Sequence, residues 1–386
     1  MKNEHFEFVS DVPVSFGQNR AAELGSLVSQ EGCSHPVIIT DPALEEMSVI
    51  APVCQALEES SIEYSIYTNV EPNPKAQDVD AGAERAVEEG WDGIVAVGGG
   101  STIDTAKGIA IVATNAGSIT DYQRKSGSYP TLSSDPLPLF AVPTTVGTGS
   151  EVTTGALVTD VDAGEKIVVG AQSFAPTRAV LDPCLLETLP PDIIASTGMD
   201  SFTQAVESYI ALDANPFTEA LALEAIRIIS KNIRPAVSGT NLEALGDMQI
   251  ATTLGGVAFN VSGLGLVHGI SHQVSAMYDT PHGITNAVLL PHVLKFNQIA
   301  APEKYARMAK VIGLPVADLT SRQAAARFLD EVDRLVADLG IPDGLNELGV
   351  EMEALPKIAG MVMETGSTNV REYSEDDVIE ILESSF

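Results

Sequence analysis

The sequence has few cysteines and no long apolar segment. Only three cysteines occur in 386 residues, Cys33, Cys54 and Cys184, and none has the spacing of a metal site. This scarcity argues against a disulfide framework and favours a reducing compartment. No apolar run approaches the roughly 20 residues of a membrane helix, and the first residues, MKNEHFEFVSDVP, lack the apolar core of a signal peptide. We therefore expect a cytoplasmic protein without a membrane partner.

Basic residues are also scarce. The chain has 21 Lys and Arg against 53 Asp and Glu, which gives a net charge of −32. Such a field repels nucleic acid and anionic membranes, so neither is expected as a partner. The acids are dispersed, with no acidic tail, which suits a protein kept soluble in high salt. The composition predicts a halophilic source; the alternative is a merely acidic enzyme.

No repeat of fixed period and no low-complexity segment occurs, and the length favours two domains. Helical and β-type segments alternate in the first half of the chain, which predicts a parallel sheet with helices on both faces. The predicted strands are PVIIT (36–40), IEYSIYT (62–68), GIVAV (93–97) and PLFAVPTT (138–145), and the predicted helices between them cover 49–60 and 74–90.

The pattern changes at residues 182–186, beyond which apolar residues recur mostly every three or four positions. Two amphipathic helices are clear, ALALEAIRIISKNIRPAV (220–237) and ARFLDEVDRLVADLG (326–340). We therefore predict an α/β domain over 1–184, with a Rossmann-like parallel sheet that binds a dinucleotide. An all-helical domain over 185–386 would bind the metal and the substrate.

A glycine-rich loop follows the third predicted strand, in GIVAVGGGSTIDTAKG. Gly98, Gly99 and Gly100 allow close approach of the backbone to a ligand, and Ser101 is a candidate helix cap. Asp104 is expected in the first helical turn. The motif is neither G-x-G-x-x-G nor a Walker loop, so a plain tight turn stays an alternative.

A second loop, VPTTVGTGSEVTT (142–154), follows the next strand. Its hydroxyl groups belong to Thr144, Thr145, Thr148 and Ser150. Two such loops at the carboxyl ends of neighbouring strands predict one crevice for a nucleotide pyrophosphate, although they could also be unrelated. Asp41, just past the first strand, would bind a ribose 2′-hydroxyl and favour NAD over NADP, or would merely start a helix.

Histidines are clustered late in the chain. Four of the six lie between residues 268 and 292, and His268 and His272 are four apart on one helix face. His282, between Pro281 and Gly283, is expected to open the next helix. Imidazoles with one carboxylate make an open catalytic metal site, and Asp200 is the best carboxylate candidate. A set of satisfied core histidines is the alternative.

Together these motifs resemble the iron-containing, or group III, alcohol dehydrogenase family, nearly end to end. The resemblance is carried by GGGSTIDTAKG, PTTVGTGSEVT, TGMDSFTQAVESY, LVHGISH and TPHGITNAVLLPHVLKFN. It implies an N-terminal dinucleotide-binding domain and a helical C-terminal domain, with cofactor and metal in the cleft between them. Dehydroquinate synthases share this architecture. The family oxidises alcohols or reduces aldehydes and ketones with NAD or NADP. The resemblance and the helical half also favour a homodimer for this chain.

The resemblance implies that Asp200, His268 and His282 bind the metal, with a fourth ligand at position 204. The family usually has histidine there, whereas this chain has Gln204. The glutamine could ligate weakly through oxygen, hydrogen-bond a metal-bound water, leave three protein ligands, or weaken metal binding until the chain works without metal. Fe²⁺ is favoured, followed by Zn²⁺ and then Mn²⁺. His272 would bind substrate, pass a proton, or only pack against the site.

The family's cofactor contacts fall on further positions. Lys166 matches a lysine near the nicotinamide ribose, and Val152 and Leu189 would line the adenine or the nicotinamide. The implied reaction is hydride transfer between nicotinamide C4 and an alkoxide bound to the metal, with a small alcohol or aldehyde as substrate. The alternatives are a polyol- or glycerol-type dehydrogenase, a dehydroquinate synthase-like enzyme, and a metal-free nucleotide-binding relative.

Overall fold

The computed structural model describes residues 5–124, 128–171, 174–239 and 241–386. These residues form two compact units. One is Ser10–Leu189, and the other is Pro190–Phe386 with the described part of the N-terminal arm, residues 5–9. The predicted domain boundary between residues 184 and 185 stays a prediction.

The first unit is built on a parallel sheet of six strands in the order β1-β8-β5-β4-β2-β3. Two further strands, β6 and β7, form a separate antiparallel hairpin. The strands are β1 Val14–Phe16, β2 Pro36–Ile39, β3 Ser65–Tyr67, β4 Gly93–Gly98, β5 Leu139–Pro143, β6 Gly155–Asp160, β7 Glu165–Gly170 and β8 Arg178–Leu181.

Helices cover both faces of this sheet. They are α1 Leu24–Gln30, α2 Pro42–Glu46, α3 Ala51–Glu59, α4 Ala76–Glu89 and α5 Gly100–Val112. Along β4, Ile94 and Ala96 pack into the hydrophobic cluster with α4 and α5, whereas Val95 and Val97 pack into the cluster with α1 and α3. Because both faces are buried, the central strands are continuous apolar runs, which is why the sequence revealed them.

Three parts of this unit were absent from the sequence-based expectation. β1 has three residues and β8 has four, and both were missed although β2 and β3 are equally short. The β6–β7 hairpin was missed because its sequence, GALVTDVDAGEKIVVG, follows the glycine- and threonine-rich loop without a clear break. The second predicted strand, expected over 62–68, is only Ser65–Tyr67.

The second unit is helical. Its helices are α6 Pro191–Ile210, α7 Pro216–Val237, α8 Leu242–Ser262, α9 Leu266–Tyr278, α10 His282–Asn297, α11 Pro302–Val311, α12 Ser321–Asp338, α13 Leu355–Thr365 and α14 Glu375–Ser384. Short 3-10 turns complete the chain. A parallel sheet with flanking helices followed by a helical region confirms the predicted fold class.

Helix α6 lies at the centre of the helical unit and packs against α7, α8 and α10. It begins with proline at its first position, and nearly all residues from Ile194 to Ile210 are buried. Gly198 allows close packing, since a Cβ there would lie 2.9 Å from Ile233 Cδ1 and 3.0 Å from Met248 Cε. A helix buried on all sides can hold polar groups only where they are paired or bind something.

Among the described residues, no single helix has both the length and the apolar composition of a membrane span. Within this described part of the chain, one bent helix pair, α8 and α9 at 98° to each other, passes that test jointly.

Candidate functional site

Helix α6 presents three polar side chains on one buried face. Asp200, Gln204 and Glu207 are separated by four and three residues, which places them on the same side of a helix. Their exposures are 3%, 4% and 1%. Polar groups this deeply buried must be compensated by partners, so this face is where a site is expected.

Two histidines from the next helices meet this face. His268 is in the first turn of α9, and His282 is the first residue of α10, as the sequence predicted. Asp279 ends α9 in the left-handed conformation, with φ of 51°, which allows the chain to turn sharply into α10. His268 Nε2 lies 3.5 Å from Asp200 Oδ1, and His282 Nε2 lies 3.8 Å from the same oxygen.

These three side chains fit a metal ion. Each offers one ligand atom, and the three atoms lie within 4.8 Å of one another. Tetrahedral ligands about 2.1 Å from an ion are about 3.4 Å apart, close to the two distances measured here. One carboxylate oxygen and two imidazole nitrogens match the donors that iron and zinc accept.

Glu207 stands behind His268 and was missed by the sequence reasoning. Its Oε2 lies 2.6 Å from His268 Nδ1, and its Oε1 accepts a hydrogen bond from Val267 N at 2.7 Å. In a neutral imidazole this contact favours the proton on Nδ1, while Nε2 faces Asp200. The signal that could have revealed it was an acidic residue seven positions after Asp200 on a buried helix.

Asn286, one turn after His282 on α10, was also missed. It is fully buried, and its Nδ2 donates to Asp200 Oδ1 at 2.7 Å. The same nitrogen lies 3.2 Å from His268 Nε2 and 3.1 Å from His282 Nε2. The Asn286 amide therefore contacts all three candidate ligand atoms at once.

The titratable groups of the centre shift each other's pKa. Burial raises the pKa of Asp200, but His282, His268 and Asn286 outweigh burial, and the pKa ends below its usual value. Burial lowers the pKa of His268, but its hydrogen bonds to Asp200 and Glu207 prevail and raise it to about 9. The two carboxylates thus favour a positive charge between them, here on His268.

Gln204 donates from Nε2 to Asp200 Oδ2 at 3.1 Å. Its Oε1 is buried and has no hydrogen-bond partner among the described residues. A buried amide oxygen without a partner is costly unless a ligand satisfies it.

The other histidines differ in their relation to the centre. The ring of His272 stacks on that of His282 with centroids 5.1 Å apart, so it borders the three candidate ligands. His292 instead lies 3.1 Å from Ser384 Oγ on α14. In the sheet unit, His35 contacts Ser65 Oγ at 3.2 Å.

The two predicted nucleotide loops are adjacent in the sheet unit. Gly98 pairs in register with Pro143, and Thr144 N donates to Gly98 O at 3.0 Å. A Cβ at Gly99 would lie 3.1 Å from Thr145 Cγ2, and one at Gly100 would lie 2.5 Å from Thr148 Cγ2. The glycines are therefore required for this close approach, as the sequence suggested.

Two details of the glycine loop differ from expectation. Ser101 does not cap α5: the capping residue is Gly99, and Ser101 is already inside the helix. Asp104 lies beyond the first turn and accepts a hydrogen bond from Leu157 N at 2.8 Å. Lys107 follows one turn later, fully buried, and donates to Thr153 Oγ1 and Gly155 O. Asp104 and Lys107 therefore connect α5 to the β6–β7 hairpin and do not contribute to the N-terminal end of the helix.

Asp41 caps α2, since its Oδ1 accepts from Leu44 N at 3.0 Å. Lys166 on β7 donates to Asn73 Oδ1 at 2.8 Å, so these two residues lie together although 93 positions separate them. Asn73 was not among the predicted residues. The remaining candidates of the sheet unit are the buried Ser150 and Val152, in one 3-10 turn, and Leu189 after β8.

Comparison with known proteins gives matches over nearly the whole chain. Residues 12–183 match a family model described as iron-containing alcohol dehydrogenase, and residues 194–386 match its C-terminal model. The 1,3-propanediol dehydrogenase of Klebsiella pneumoniae is 39% identical over 376 residues, 96% of each chain. The NAD-dependent methanol dehydrogenase of Bacillus methanolicus is 36% identical over 372 residues, 96% of this chain and 97% of that one.

A solved structure gives the same result. The crystal structure of a 1,3-propanediol oxidoreductase superposes with a TM-score of 0.96 at 38% identity. The match covers 99% of this chain and 100% of the other.

Proposed function

The chain belongs to the iron-containing alcohol dehydrogenase family, and from this premise we propose how its own residues carry the activity. The family predicted from the motifs is confirmed. The protein is an NAD-linked, iron-dependent alcohol dehydrogenase that also runs in the direction of aldehyde reduction.

The observation that carries the proposal is the set of the buried Asp200 and His268 with the half-buried His282, and Glu207 behind His268. We assign the first three as metal ligands and Gln204 as a further one. When bound, the nicotinamide supplies the hydride chemistry and the ion supplies Lewis acidity toward the substrate oxygen. Asp200 supplies the negative charge, Glu207 fixes the orientation of His268, and burial excludes water from Asp200 and His268.

We assign the nucleotide to the loops after β4 and β5. Gly98, Gly99 and Gly100 let the N–H groups at the start of α5 approach a pyrophosphate, and the hydroxyls of Thr144, Thr145 and Thr148 can donate to it. Ser101, Asp104, Ser150, Val152 and Leu189 belong to the same proposal as flanking residues. Lys166, held by Asn73, would contact the nicotinamide ribose. Asp41 uses one carboxylate oxygen for its cap, so the other oxygen remains for a ribose 2′-hydroxyl.

His272 is proposed to hold or pass the proton of the reaction. It lies beside His282, it is only partly buried, and an imidazole is the side chain suited to proton transfer near neutral pH.

The working form is proposed to be a cytoplasmic homodimer adapted to high salt, with neither nucleic acid nor membrane as a partner. The net charge of −32 supports the adaptation to high salt and argues against nucleic acid and membranes as partners. Dispersed acidic groups favour hydration and repel polyanions. We also propose that residues 1–184 bind the dinucleotide and that residues 185–386 bind the metal and the substrate. Small primary alcohols and diols are the proposed substrates, since relatives act on 1,3-propanediol and methanol.

The test is elemental analysis of protein purified without oxygen in high salt, paired with NAD⁺ reduction by 1,3-propanediol, methanol and longer alcohols. We expect about one iron ion per chain and loss of turnover on chelation, restored by added Fe²⁺. Protein that contains no metal, and that no added divalent ion activates, would disprove the proposed role of Asp200, His268 and His282.

A further inference from the structure

The segment formed by residues 367–371 lies between α13 and α14, outside any helix or strand. Asn369 within it is nevertheless only 5% exposed, and Thr368 and Arg371 are half-buried. Neither the metal centre nor the nucleotide loops proposed above involve this segment. Because buried polar groups need partners, the contacts of these side chains indicate what the segment does.

The 367–371 segment contacts the loop between α8 and α9. Thr368 N and Thr368 Oγ1 both donate to Leu264 O, at 3.2 Å and 2.9 Å. A Cβ at Gly263 would lie 2.9 Å from Thr368 Oγ1, so the loop and the segment are closely packed. This loop leads directly into α9, whose third residue is His268.

Glu207 and the 367–371 segment meet at Gly265, the capping residue of α9. A Cβ at Gly265 would lie 2.8 Å from Glu207 Oε1 and 3.2 Å from Asn369 Oδ1. Glu207 Oε1 also accepts from Val267 N, and Glu207 Oε2 contacts His268 Nδ1. The start of α9 is therefore held both by Glu207 of α6 and by the 367–371 segment.

The same segment contacts the ends of α6 and α10. Leu212 N, two residues after the end of α6, donates to Thr368 O at 2.9 Å. At the last residue of α10, Asn297 Nδ2 donates to Asn369 Oδ1 at 2.8 Å, and Asn369 Nδ2 donates to Asn297 Oδ1 at 2.9 Å. Because Asn297 is only 1% exposed, removal of one amide would leave the other buried without this partner.

Arg371 makes a further contact with the end of α10. Its Nη1 donates to Phe296 O at 2.8 Å, and its guanidinium carbon lies 3.7 Å from the centre of the Phe296 ring. The segment is thus bonded to the end of α6, to the loop before α9 and to the end of α10. These three helices carry Asp200, His268 and His282 respectively, so their relative placement sets the distances between the ligand atoms.

We propose that the 367–371 segment positions the start of α9, and with it His268, and that Thr368 and Asn369 are positioning residues of the metal centre. They act through Leu264 and Gly265 rather than on the ion. This proposal rests on the metal centre proposed above and adds to it a cause for retention of the ion. When the segment is loosened, α9 moves more freely relative to α6 and α10, and the ion is released faster.

The experiment measures how fast the ion is lost, independently of turnover. Each protein is loaded anaerobically with Fe²⁺ in high salt, mixed with an excess of EDTA, and sampled over time for bound iron by elemental analysis. Asn369→Leu removes the amide pair at similar volume. It should speed release about tenfold or more, within the range typical when a partner of a metal ligand is lost.

Thr368 offers a matched pair of variants. Thr368→Val removes the hydroxyl that donates to Leu264 O at almost unchanged shape, and should speed release about fivefold, the equivalent of one ordinary hydrogen bond. Thr368→Ser keeps the hydroxyl and should stay within about twofold of wild type. The same proteins loaded with Co²⁺ have an absorption spectrum that depends on ligand geometry. This spectrum should change in Thr368→Val and Asn369→Leu but not in Thr368→Ser.

Asn232→Leu is the control for a general loss of stability. Asn232 is a buried amide of the same helical unit, and its Nδ2 donates to Asp247 Oδ2 at 3.0 Å, between α7 and α8. The substitution should lower the free energy of unfolding of the metal-free protein, measured with denaturant, and leave the release rate and the cobalt spectrum unchanged. If Asn369→Leu does not fold, the two Thr368 variants decide.

The outcomes separate this proposal from the metal centre on which it rests. Release from Thr368→Val at the wild-type rate, or no faster than from Thr368→Ser, overturns the positioning role and leaves the centre intact. Release from Asn232→Leu as fast as from Asn369→Leu also overturns it, since release would then follow stability alone. Iron binding by wild type no stronger than by Asp200→Ala overturns the centre itself, and the positioning role with it.

Discussion

The two units of this chain form their candidate sites from different parts of the polypeptide. In the sheet unit, the candidate binding groups are backbone N–H groups and small side chains in two loops that follow neighbouring strands, β4 and β5. In the helical unit, they are long side chains from three helices, with Asp200 and Asn286 86 positions apart. A loop site depends on the conformations and close approaches that the backbone allows. The metal centre depends on which side chains are packed together in the interior.

This difference implies that substitutions in the two sites should impair different functions, nucleotide binding in one and metal binding in the other. Damage to the glycine loop should affect the nucleotide and spare the metal, and damage to the helix face should do the reverse. The following predictions test that separation, in order of the effect expected.

Replacement of Asp200 by Asn should have the largest effect. The amide removes the negative charge that both histidines face, at almost unchanged shape. We expect metal to be lost on dialysis and turnover to fall by about a thousandfold or more, the rate equivalent of roughly 4 kcal/mol. Elemental analysis and NAD⁺ reduction give the two measurements. Asp192→Asn in the exposed first turn of the same helix is the control, and an equal effect there would contradict the assignment.

Gly100→Ala should damage the nucleotide loop. Its new Cβ would lie 2.5 Å from Thr148 Cγ2, so one of the two loops must shift. A displacement of about 1 Å can cost about a hundredfold in rate, and we expect that loss in kcat/KM for NAD⁺ with unchanged metal content. Gly360→Ala is the matched control, since the nearest atom to its Cβ is Glu375 Oε1 at 3.9 Å. Loss of metal from Gly100→Ala would break the proposed separation of the sites.

Glu207→Gln should weaken the metal centre without emptying it. The hydrogen bond to His268 Nδ1 at 2.6 Å loses its charge, and loss of such a partner typically costs 10–100-fold in metal affinity, in order of magnitude roughly 1–3 kcal/mol. Competition with a metal-binding dye measures the affinity. Glu224→Gln, in an exposed pair with Arg227, is the control and should leave the affinity unchanged. Equal affinities of wild type and Glu207→Gln would show that Glu207 does not orient His268.

Lys107 should give the sheet unit a distinctive pH dependence. Burial lowers the pKa of Lys107 to about 8, although Asp104 and Glu151 act in the opposite direction. The folded state then binds fewer protons than the unfolded state from about pH 8 to the ordinary lysine pKa of about 10.4. The free energy of unfolding should therefore rise with pH across this window, by at most about 1.4 kcal/mol per pH unit, relative to Lys107→Met.

Denaturant unfolding at several pH values measures this difference, and the other titrating groups cancel between the two proteins. Parallel stability curves for wild type and Lys107→Met between pH 8 and 10 would mean that Lys107 keeps an ordinary pKa in the folded protein.

The elements that the sequence predicted correctly were those with many residues acting alike. β4 was visible because all six of its residues are buried and mostly apolar, and α7 because its apolar face repeats over six turns. Ser101 was wrong as a cap because the helix starts at Gly100, two residues earlier than a cap at Ser101 would place it. A glycine can occupy that extended position without a capping side chain.

The residues of the candidate sites also fall into two groups, those predicted from the sequence and those found only in the structure. By itself, the sequence determined the α/β and helical halves, and it predicted the glycine and threonine loops and the candidate trio of Asp200, His268 and His282. These follow from local spacing and from motif resemblance, both of which are properties of neighbouring residues. Only the tertiary structure decided that Glu207 faces His268, that Asn286 contacts all three ligand atoms, and that Asn73 holds Lys166. The reason is physical: a buried polar side chain is defined by the partners that compensate it, and those partners come from distant segments brought together when the helices and strands pack.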